Sequence, residues 1–274
     1  MSSFLMGVIQ INSTDDKKHN LEKLGSFIDE AVKRGARMCA TSETVAYVGK
    51  PEDEVREQEP IPGPTSEFFA QKARQHKIWL HCGSYLEANP QEPARPFNTN
   101  IVINPKGDVV ARYRKIHMYD VEIQNGPSFK ESATRCPGSE IVVFDSDFGR
   151  MGLSICYDMR FPELYRLLTL KGAKVLFVPA LYMLYTGKDH WETVLRTRAI
   201  ENQCYVVAPD QIGVKTNGAH AYGRSLVIDP WGNVVAKASD KECVLVTEID
   251  MGLVDAVREQ LPSLKNRVPD AYKG

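Results

Sequence analysis

The stretches NIVINPKGDVVARY (Asn100–Tyr113) and SLVIDPWGNVVAKA (Ser225–Ala238) follow one pattern. Each has an apolar strand, a Pro-x-Gly turn and a second apolar strand. Asn or Asp opens the turn, Pro presets φ, and Gly accepts backbone conformations that other residues resist. The β-branched residues on both sides are typical of strands. The sequence therefore predicts the same β-hairpin twice.

The elements that precede each hairpin repeat as well. In the first half they are strand Leu5–Ile11, helix Asn20–Arg34, strand Arg37–Thr41, helix Ser66–His76 and strand Ile78–Leu86. In the second half they are strand Met151–Cys156, helix Glu163–Lys171, strand Lys174–Pro179, helix His190–Asn202 and strand Cys204–Asp210. Both halves thus read β-α-β-α-β followed by a hairpin. Two such halves predict an α/β protein, an internally duplicated four-layer α-β-β-α sandwich, with residues 1–274 as a single domain.

Composition narrows the class of protein. The 274 residues carry 34 basic and 35 acidic side chains, a formal net charge of −1. Because there is no basic excess, we expect no nucleic-acid or anionic-membrane partner. The N-terminus lacks the pattern of a signal peptide, and no apolar run approaches the roughly 20 residues that span a bilayer. We therefore expect a cytoplasmic protein.

Three reactive side chains fall at the ends of predicted elements. Glu43 follows the strand Arg37–Thr41, Lys115 follows the first hairpin, and Cys156 ends the strand Met151–Cys156. Ligands of open α/β sheets bind at the carboxyl ends of strands. Cys156 stands at a strand-to-helix turn, where the backbone N–H of Tyr157 can bind an oxyanion. A helix N-terminus and a nearby lysine would both favour the thiolate.

Other chemistries are less well supported. A cysteine protease needs a histidine partner, and the candidates His117 and His190 lie in no recognisable protease context. His117 is instead expected to donate a hydrogen bond beside the site. No metal-ligand spacing and no phosphate-binding loop are present, so we expect neither a metal nor an organic cofactor.

Motifs along the chain carry a resemblance to a known family. They are Glu43 after an apolar strand, YRKIH (113–117), ICYDMRFPEL (155–164), His190-Trp191, RAIENQ (198–203) and VIDPWG (227–232). With these motifs, the chain resembles the nitrilase superfamily of carbon–nitrogen hydrolases over nearly its whole length. It is most similar to the branch that contains deaminated glutathione amidase and omega-amidase. The resemblance implies the same four-layer sandwich, no cofactor, and a homodimer or larger homo-oligomer.

The resemblance also implies roles for individual residues. Glu43 becomes the general base, Lys115 the oxyanion stabiliser and Cys156 the nucleophile, while Glu131 matches a second glutamate near the lysine and the substrate. The implied reaction cleaves a small linear amide to a carboxylic acid and ammonia through a cysteine thioester. Deaminated glutathione and an omega-amide of a 2-oxo acid are the candidate substrates.

Two alternative functions remain open. A true nitrilase would convert a nitrile to the acid, but such enzymes usually have Cys-Trp-Glu at the nucleophile, where this chain has Cys156-Tyr157-Asp158. A non-catalytic binding protein on the same fold is the second alternative.

Further residues are expected to contact the substrate. Tyr157, Arg160 and His190 are expected near the substrate. Arg160 could pair with a substrate carboxylate, or could form a structural ion pair at the helix start. The bulky stretch Ala180–Tyr185 is expected to line the pocket.

Overall fold

A computed structural model describes residues 3–124, 126 and 128–272 of the chain. Its strands, in chain order, are β1 (Ser3–Gln10), β2 (Met38–Ala40), β3 (Trp79–His81), β4 (Tyr85–Glu87), β5 (Phe97–Ile103), β6 (Val109–Arg114), β7 (Asp120–Glu122), β8 (Ser128–Lys130), β9 (Val143–Ser146), β10 (Gly149–Leu153), β11 (Val175–Phe177), β12 (Tyr205–Ala208), β13 (Ile212–Val214), β14 (His220–Tyr222), β15 (Leu226–Ile228), β16 (Val234–Lys237) and β17 (Cys243–Asp250). Its α-helices are α1 (Lys17–Lys33), α2 (Pro51–Arg56), α3 (Pro64–His76), α4 (Pro162–Leu170), α5 (Leu184–Asn202) and α6 (Met251–Gln260). Short 3-10 turns span Glu131–Ala133, Cys156–Arg160 and Pro269–Tyr272.

The strands form two large sheets that repeat one topology. The first sheet runs β17-β1-β2-β3-β5-β4, with β6 paired to β5, and the second runs β16-β15-β12-β11-β10-β9. In each sheet three parallel strands are followed by an antiparallel strand and its hairpin partner. The predicted internal duplication is therefore confirmed.

One strand of each half crosses to the other sheet. β9 follows the first hairpin in sequence but pairs antiparallel with β10 of the second sheet. β17 follows the second hairpin but returns to pair antiparallel with β1 over its whole length, from Ser3–Asp250 to Gln10–Cys243. This exchange joins the two halves through backbone hydrogen bonds.

The sheets pack face to face with helices outside, which confirms the four-layer sandwich. Between the sheets, His81 stacks on Phe177 at a centroid distance of 4.4 Å, and Trp79 lies 6.3 Å from Phe144. Apolar side chains of α1 and α3 cover the outer face of the first sheet, and those of α4 and α5 cover the second. Full burial of a large apolar side chain contributes about 1.5–3 kcal/mol, so these faces hold the layers together.

Several element bounds differ from the sequence prediction for local reasons. α1 begins three residues early because the Asp16 carboxylate accepts a hydrogen bond from the His19 N–H and caps the helix. α5 begins at Leu184 rather than His190.

The predicted strand 78–86 divides into β3 and β4 at Gly83, whose φ is +60°. A Cβ at Gly83 would lie 1.9 Å from the Ser42 carbonyl oxygen, so only glycine allows this close approach.

Candidate active site

Three strand ends meet at one cavity. Glu43 follows β2, Lys115 follows β6, and Cys156 opens the turn Cys156–Arg160 after β10. All three side chains are buried, and all three line the same cavity of about 370 Å³. The structure therefore brings together the carboxylate, the amine and the thiol that the sequence places at separate element ends.

Both oxygens of the Glu43 carboxylate are engaged by hydrogen-bond donors. Oε1 accepts from the Asn98 amide at 2.8 Å and from Lys115 Nζ at 3.1 Å. Oε2 accepts from the Leu181 backbone N–H at 2.7 Å. The Gln211 side chain also donates to the Glu43 carbonyl oxygen at 3.0 Å. These hydrogen bonds hold the carboxylate in one orientation. A group that accepts a proton from a fixed direction needs such an orientation.

Lys115 bridges two buried carboxylates. Its Nζ lies 3.1 Å from Glu43 Oε1 and 2.9 Å from Glu131 Oε2. Glu131 is itself oriented by the Tyr119 N–H, which donates to Oε2 at 2.7 Å. Burial alone would lower the pKa of Lys115, but the charges of Glu131 and Glu43 outweigh it and hold that pKa well above its ordinary value. The two carboxylates therefore favour the charged ammonium form of this buried side chain.

Cys156 occupies a sharp, strained turn. Its φ is +48°, a left-handed conformation that non-glycine residues rarely adopt, and its N–H donates to the Pro179 carbonyl at 2.8 Å. The strand that was predicted to end at Cys156 ends at Leu153, and the turn begins with the cysteine itself. Strained backbone at a nucleophile is a recurrent feature of catalytic turns.

Hydrogen bonds to the buried Asp158 carboxylate stabilise this turn. It is fully buried and accepts from the Ile155 N–H at 2.8 Å and from the Tyr113 hydroxyl at 2.6 Å. The His117 ring, which stacks on Phe161, contacts the other carboxylate oxygen through Nδ1 at 2.7 Å. His117 thus lies beside the site as a hydrogen-bonding residue, in agreement with its expected role.

The protonation state of Cys156 differs from the sequence expectation. Burial raises the pKa of the thiol well above its ordinary value, the charge of Glu43 raises it further, and Lys115 opposes them without prevailing. Burial and the charge of Glu43 together outweigh Lys115, so the direction of the shift in the pKa of this thiol does not support the expected thiolate preference. A neutral thiol at this position needs a base to become a nucleophile.

The segment Leu181–Met183 forms one wall of the cavity, as expected for the stretch 180–185. Its backbone is fixed by two buried carboxylates: the Leu181 N–H binds Glu43, and the Tyr182 N–H donates to Asp210 Oδ1 at 2.8 Å. Burial raises the pKa of Asp210 well above its ordinary value. The same segment places the Leu181 carbonyl 3.9 Å from the Cys156 sulfur.

The remaining predicted substrate residues divide into two groups. Tyr157 lines the cavity and packs edge-on against Tyr119 at a centroid distance of 5.1 Å. Arg160 and His190 contact each other, with both Arg160 Nη atoms 3.3 Å from His190 Nδ1, and neither lines the cavity. The Arg160 guanidinium lies 5.8 Å and 5.6 Å from the Tyr157 and Tyr182 ring centroids. Arg160 therefore lies beside the rings of Tyr157 and Tyr182 and is not among the residues that line the cavity.

Sequence reasoning missed Asn98, Asp158 and Arg135. The signal for Asp158 was its position within the CYDMR motif, and for Asn98 its position in the first hairpin. Arg135 lines the cavity through a buried ion pair with Glu54. Glu54 and Arg135 are far apart in sequence, so this pair can be recognised only in the folded structure.

Over residues 3–124, 126 and 128–272, no group of three or more His, Cys, Asp and Glu side chains is placed to hold a metal ion. In the same part of the chain, no helix has the length and apolar character needed to cross a membrane.

Known proteins resemble this chain in sequence and in fold. The family model for Carbon-nitrogen hydrolase matches residues 5–259. Deaminated glutathione amidase of Synechocystis sp. (strain PCC 6803 / GT-S) is 40% identical over 270 residues, 98% of this chain and 99% of the relative. Omega-amidase NIT2 of Homo sapiens is 35% identical over 274 residues, 99% of this chain and 98% of the relative. The crystal structure of the C. elegans NitFhit protein superposes with a TM-score of 0.94 at 36% identity, covering 100% of this chain and 67% of that one.

Fold and relatives together define the class of protein, an enzyme that hydrolyses carbon–nitrogen bonds of amides other than peptide bonds. The chain belongs to the carbon–nitrogen hydrolase family. The predicted superfamily is therefore confirmed. The alternatives of a nitrilase and of a non-catalytic binding protein are not favoured, since both curated relatives are named as amidases.

Proposed function

We propose that the chain cleaves a small linear amide through a thioester on Cys156, with Glu43 as general base and Lys115 as oxyanion stabiliser. The observation that carries the proposal is the arrangement around Glu43. One carboxylate oxygen binds Lys115, and the other binds the N–H of Leu181, whose carbonyl oxygen lies 3.9 Å from the Cys156 sulfur. A thiol, a carboxylate that can take its proton and a fixed cation that can stabilise an oxyanion together support acyl transfer to sulfur.

In the first half of the reaction, Glu43 takes the thiol proton while the Cys156 sulfur attacks the amide carbonyl carbon. The Lys115 ammonium and the Tyr157 backbone N–H donate to the resulting oxyanion. As the intermediate collapses, the carbon–nitrogen bond breaks and Glu43 returns its proton to the leaving nitrogen. A primary amide then releases ammonia, a substituted amide releases an amine, and the acyl group stays on sulfur.

In the second half, Glu43 takes a proton from water as the water oxygen attacks the thioester carbon. The carbon–sulfur bond breaks, the acid leaves, and the proton on Glu43 restores the thiol. Glu131 keeps Lys115 charged and in place throughout, because it binds the same ammonium with both carboxylate oxygens.

The names of the relatives suggest substrates. One is a deaminated glutathione amidase and another an omega-amidase, so we propose deaminated glutathione or an omega-amide of a 2-oxo acid as candidate substrate classes. We expect purified protein to release acid and nitrogen product in equal amounts from at least one such amide. Matched nitriles should be turned over far more slowly. Faster turnover of a nitrile than of its amide would contradict the amidase proposal.

Glu43→Gln should separate the charge of Glu43 from its role as a base. The substitution removes the negative charge that raises the pKa of Cys156 and leaves Lys115, which lowers it, so the thiol pKa falls. More thiolate is then present at a given pH, and the pH profile of iodoacetamide labelling moves to lower pH. Amide turnover should nevertheless fall by about 10²–10⁴-fold, the usual contribution of a general base.

The matched control for that variant is Glu87→Gln, which removes a buried carboxylate paired with Arg114 instead of one lining the cavity. The pH profile of iodoacetamide labelling in this control should match that of the unmodified protein. A Glu43→Gln profile that stays in place or moves to higher pH would contradict the assigned electrostatics.

We further propose that residues 1–274 form a single domain. We also propose that the protein acts in the cytoplasm as a homodimer or larger homo-oligomer, and that it uses neither a metal nor an organic cofactor. The family model supports the first point because it spans both halves of the duplicated fold. The likeness to this family supports a homo-oligomer. Analytical ultracentrifugation of the purified protein would measure the mass of the assembly and hence the number of subunits.

A further inference from the structure

Asp210 is a buried carboxyl group next to the proposed reaction centre. It follows β12, is fully buried, and is not among the residues that line the cavity. Its Oδ1 accepts from the Tyr182 N–H at 2.8 Å, and its own N–H donates to the Ser225 hydroxyl at 2.8 Å. No step of the proposed reaction involves this side chain. Its contact with the cavity wall nevertheless suggests a part in catalysis.

Backbone hydrogen bonds join the segment of Asp210 to the start of that wall. The Ala180 N–H donates to the Pro209 carbonyl at 2.9 Å, and the Gln211 N–H donates to the Ala180 carbonyl at 2.9 Å. Ala180 and Asp210 thus form a short parallel bridge. Beyond Ala180, side-chain carboxyl groups bind the backbone N–H groups instead.

The next two N–H groups bind two different carboxyl groups. The Leu181 N–H donates to Glu43 Oε2 at 2.7 Å, and the Tyr182 N–H donates to Asp210 Oδ1. Leu181 therefore holds the proposed base with its N–H. Asp210 holds the peptide group that follows Leu181.

That peptide group also faces the proposed nucleophile. A trans peptide is planar, so its C=O and its N–H point in opposite directions. The N–H of the Leu181–Tyr182 peptide donates to Asp210, and its C=O lies 3.9 Å from the Cys156 sulfur. By binding the N–H, Asp210 determines that the thiol meets the carbonyl oxygen. If this peptide turned over, it would present an N–H to the sulfur instead.

The surroundings of Asp210 favour its uncharged form. Burial raises the pKa of this carboxyl well above its ordinary value and the charge of Glu43 raises it further, while the Tyr182 N–H and the charge of Lys215 oppose the shift. A carboxylic acid still accepts a hydrogen bond at its carbonyl oxygen. It does so without adding a negative charge near Glu43 and Cys156.

We propose that Asp210 is a positioning residue for amide hydrolysis. It fixes the Leu181–Tyr182 peptide, so that Leu181 binds Glu43 through its N–H and faces the Cys156 sulfur through its C=O. This inference rests on the proposed function and adds a residue that acts through the cavity wall. The role requires an acceptor oxygen at this position and no charge, so asparagine should be able to replace Asp210.

The test compares Asp210→Asn with Asp210→Ala. Asparagine has the size of aspartate and keeps an acceptor oxygen, whereas alanine leaves the Tyr182 N–H without its partner. Steady-state kcat and KM are measured with 2-oxoglutaramate and with deaminated glutathione. We expect kcat to stay within about threefold in Asp210→Asn and to fall by about 10- to 100-fold in Asp210→Ala, the usual cost of misplaced reacting groups. The loss should fall on kcat more than on KM, because the contact acts on Glu43 and Cys156.

The matched control is Asp229→Ala. Asp229 is also a buried carboxyl group that binds backbone N–H groups, those of Trp231 and Asn233 at 2.9 Å each. It lies in the turn between β15 and β16 and does not line the cavity. We expect this control to lower the free energy of unfolding, measured with denaturant, and to leave kcat of the folded protein unchanged.

The outcomes distinguish positioning from a purely structural role. An unchanged kcat in folded Asp210→Ala protein overturns the inference, and so do equal losses of kcat in the alanine and asparagine variants. Asp210→Val fills more of the vacated space and replaces the alanine variant if that protein does not fold. A folded asparagine variant that loses more than about tenfold in kcat overturns the inference by itself. If the unmodified protein hydrolyses neither amide, the proposed function fails and the inference fails with it.

Discussion

Cys156→Ala is expected to abolish both amide hydrolysis and the covalent acyl adduct. Turnover should fall by at least about 10⁴-fold, because loss of a nucleophile leaves only binding and oxyanion stabilisation. Mass spectrometry of the unmodified protein mixed with substrate should show the mass of the acyl group on the peptide that contains Cys156. The same peptide from the variant should carry no added mass.

The substitution is well suited to the site. Alanine removes only the sulfur, and both residues bear the Cβ that makes φ of +48° unfavourable, so backbone strain changes little. Cys243→Ala is the matched control, since Cys243 lies half-buried on β17 outside the cavity. It should retain both the adduct and the turnover. Full release of product by folded Cys156→Ala protein would contradict the nucleophile assignment.

Lys115→Met is expected to impair catalysis and stability together. The buried ammonium lies 3.1 Å and 2.9 Å from two buried carboxylates, and its removal leaves both without a counter-ion. Removal of one partner from a buried ion pair costs about 3–5 kcal/mol of unfolding free energy. Loss of one oxyanion donor lowers kcat by about 10²–10³-fold. Denaturant unfolding and steady-state kinetics measure the two effects.

A second substitution separates those effects. Lys115→Met/Glu131→Gln removes one positive and one negative charge, while Glu43 keeps its hydrogen bonds from Asn98 and Leu181. We expect the double variant to recover part of the lost unfolding free energy without recovering turnover. A retained kcat in either folded variant would exclude an oxyanion role for Lys115.

Much of the fold follows from local sequence patterns. The two Pro-x-Gly hairpins and the strand–helix alternation before them are short-range signals, because turn chemistry and apolar periodicity act over a few residues. They were sufficient to predict the duplicated four-layer sandwich. The same reasoning placed Glu43, Lys115 and Cys156 at element ends that now lie around one cavity.

The precise environment of those residues depends on register, which sequence does not show. In the first hairpin Ile103 pairs with Val109, and continuing that pairing would put Phe97 opposite Lys115. A shift between Val102 and Ile103 instead places Asn98 there, where its amide binds Glu43. Such an irregularity inserts one residue and reverses which side chains face the site.

The sequence by itself determined the class of fold, the three reactive residues and the family, because each is encoded in contiguous motifs. Only the tertiary structure decided the raised pKa of the Cys156 thiol, the position of Arg160 beside the Tyr157 and Tyr182 rings, and the pairing of Glu54 with Arg135 across 81 residues. The physical reason is that burial and electrostatic interaction depend on distances between segments far apart in the chain. Those distances are set when the two sheets pack and the strands β9 and β17 exchange.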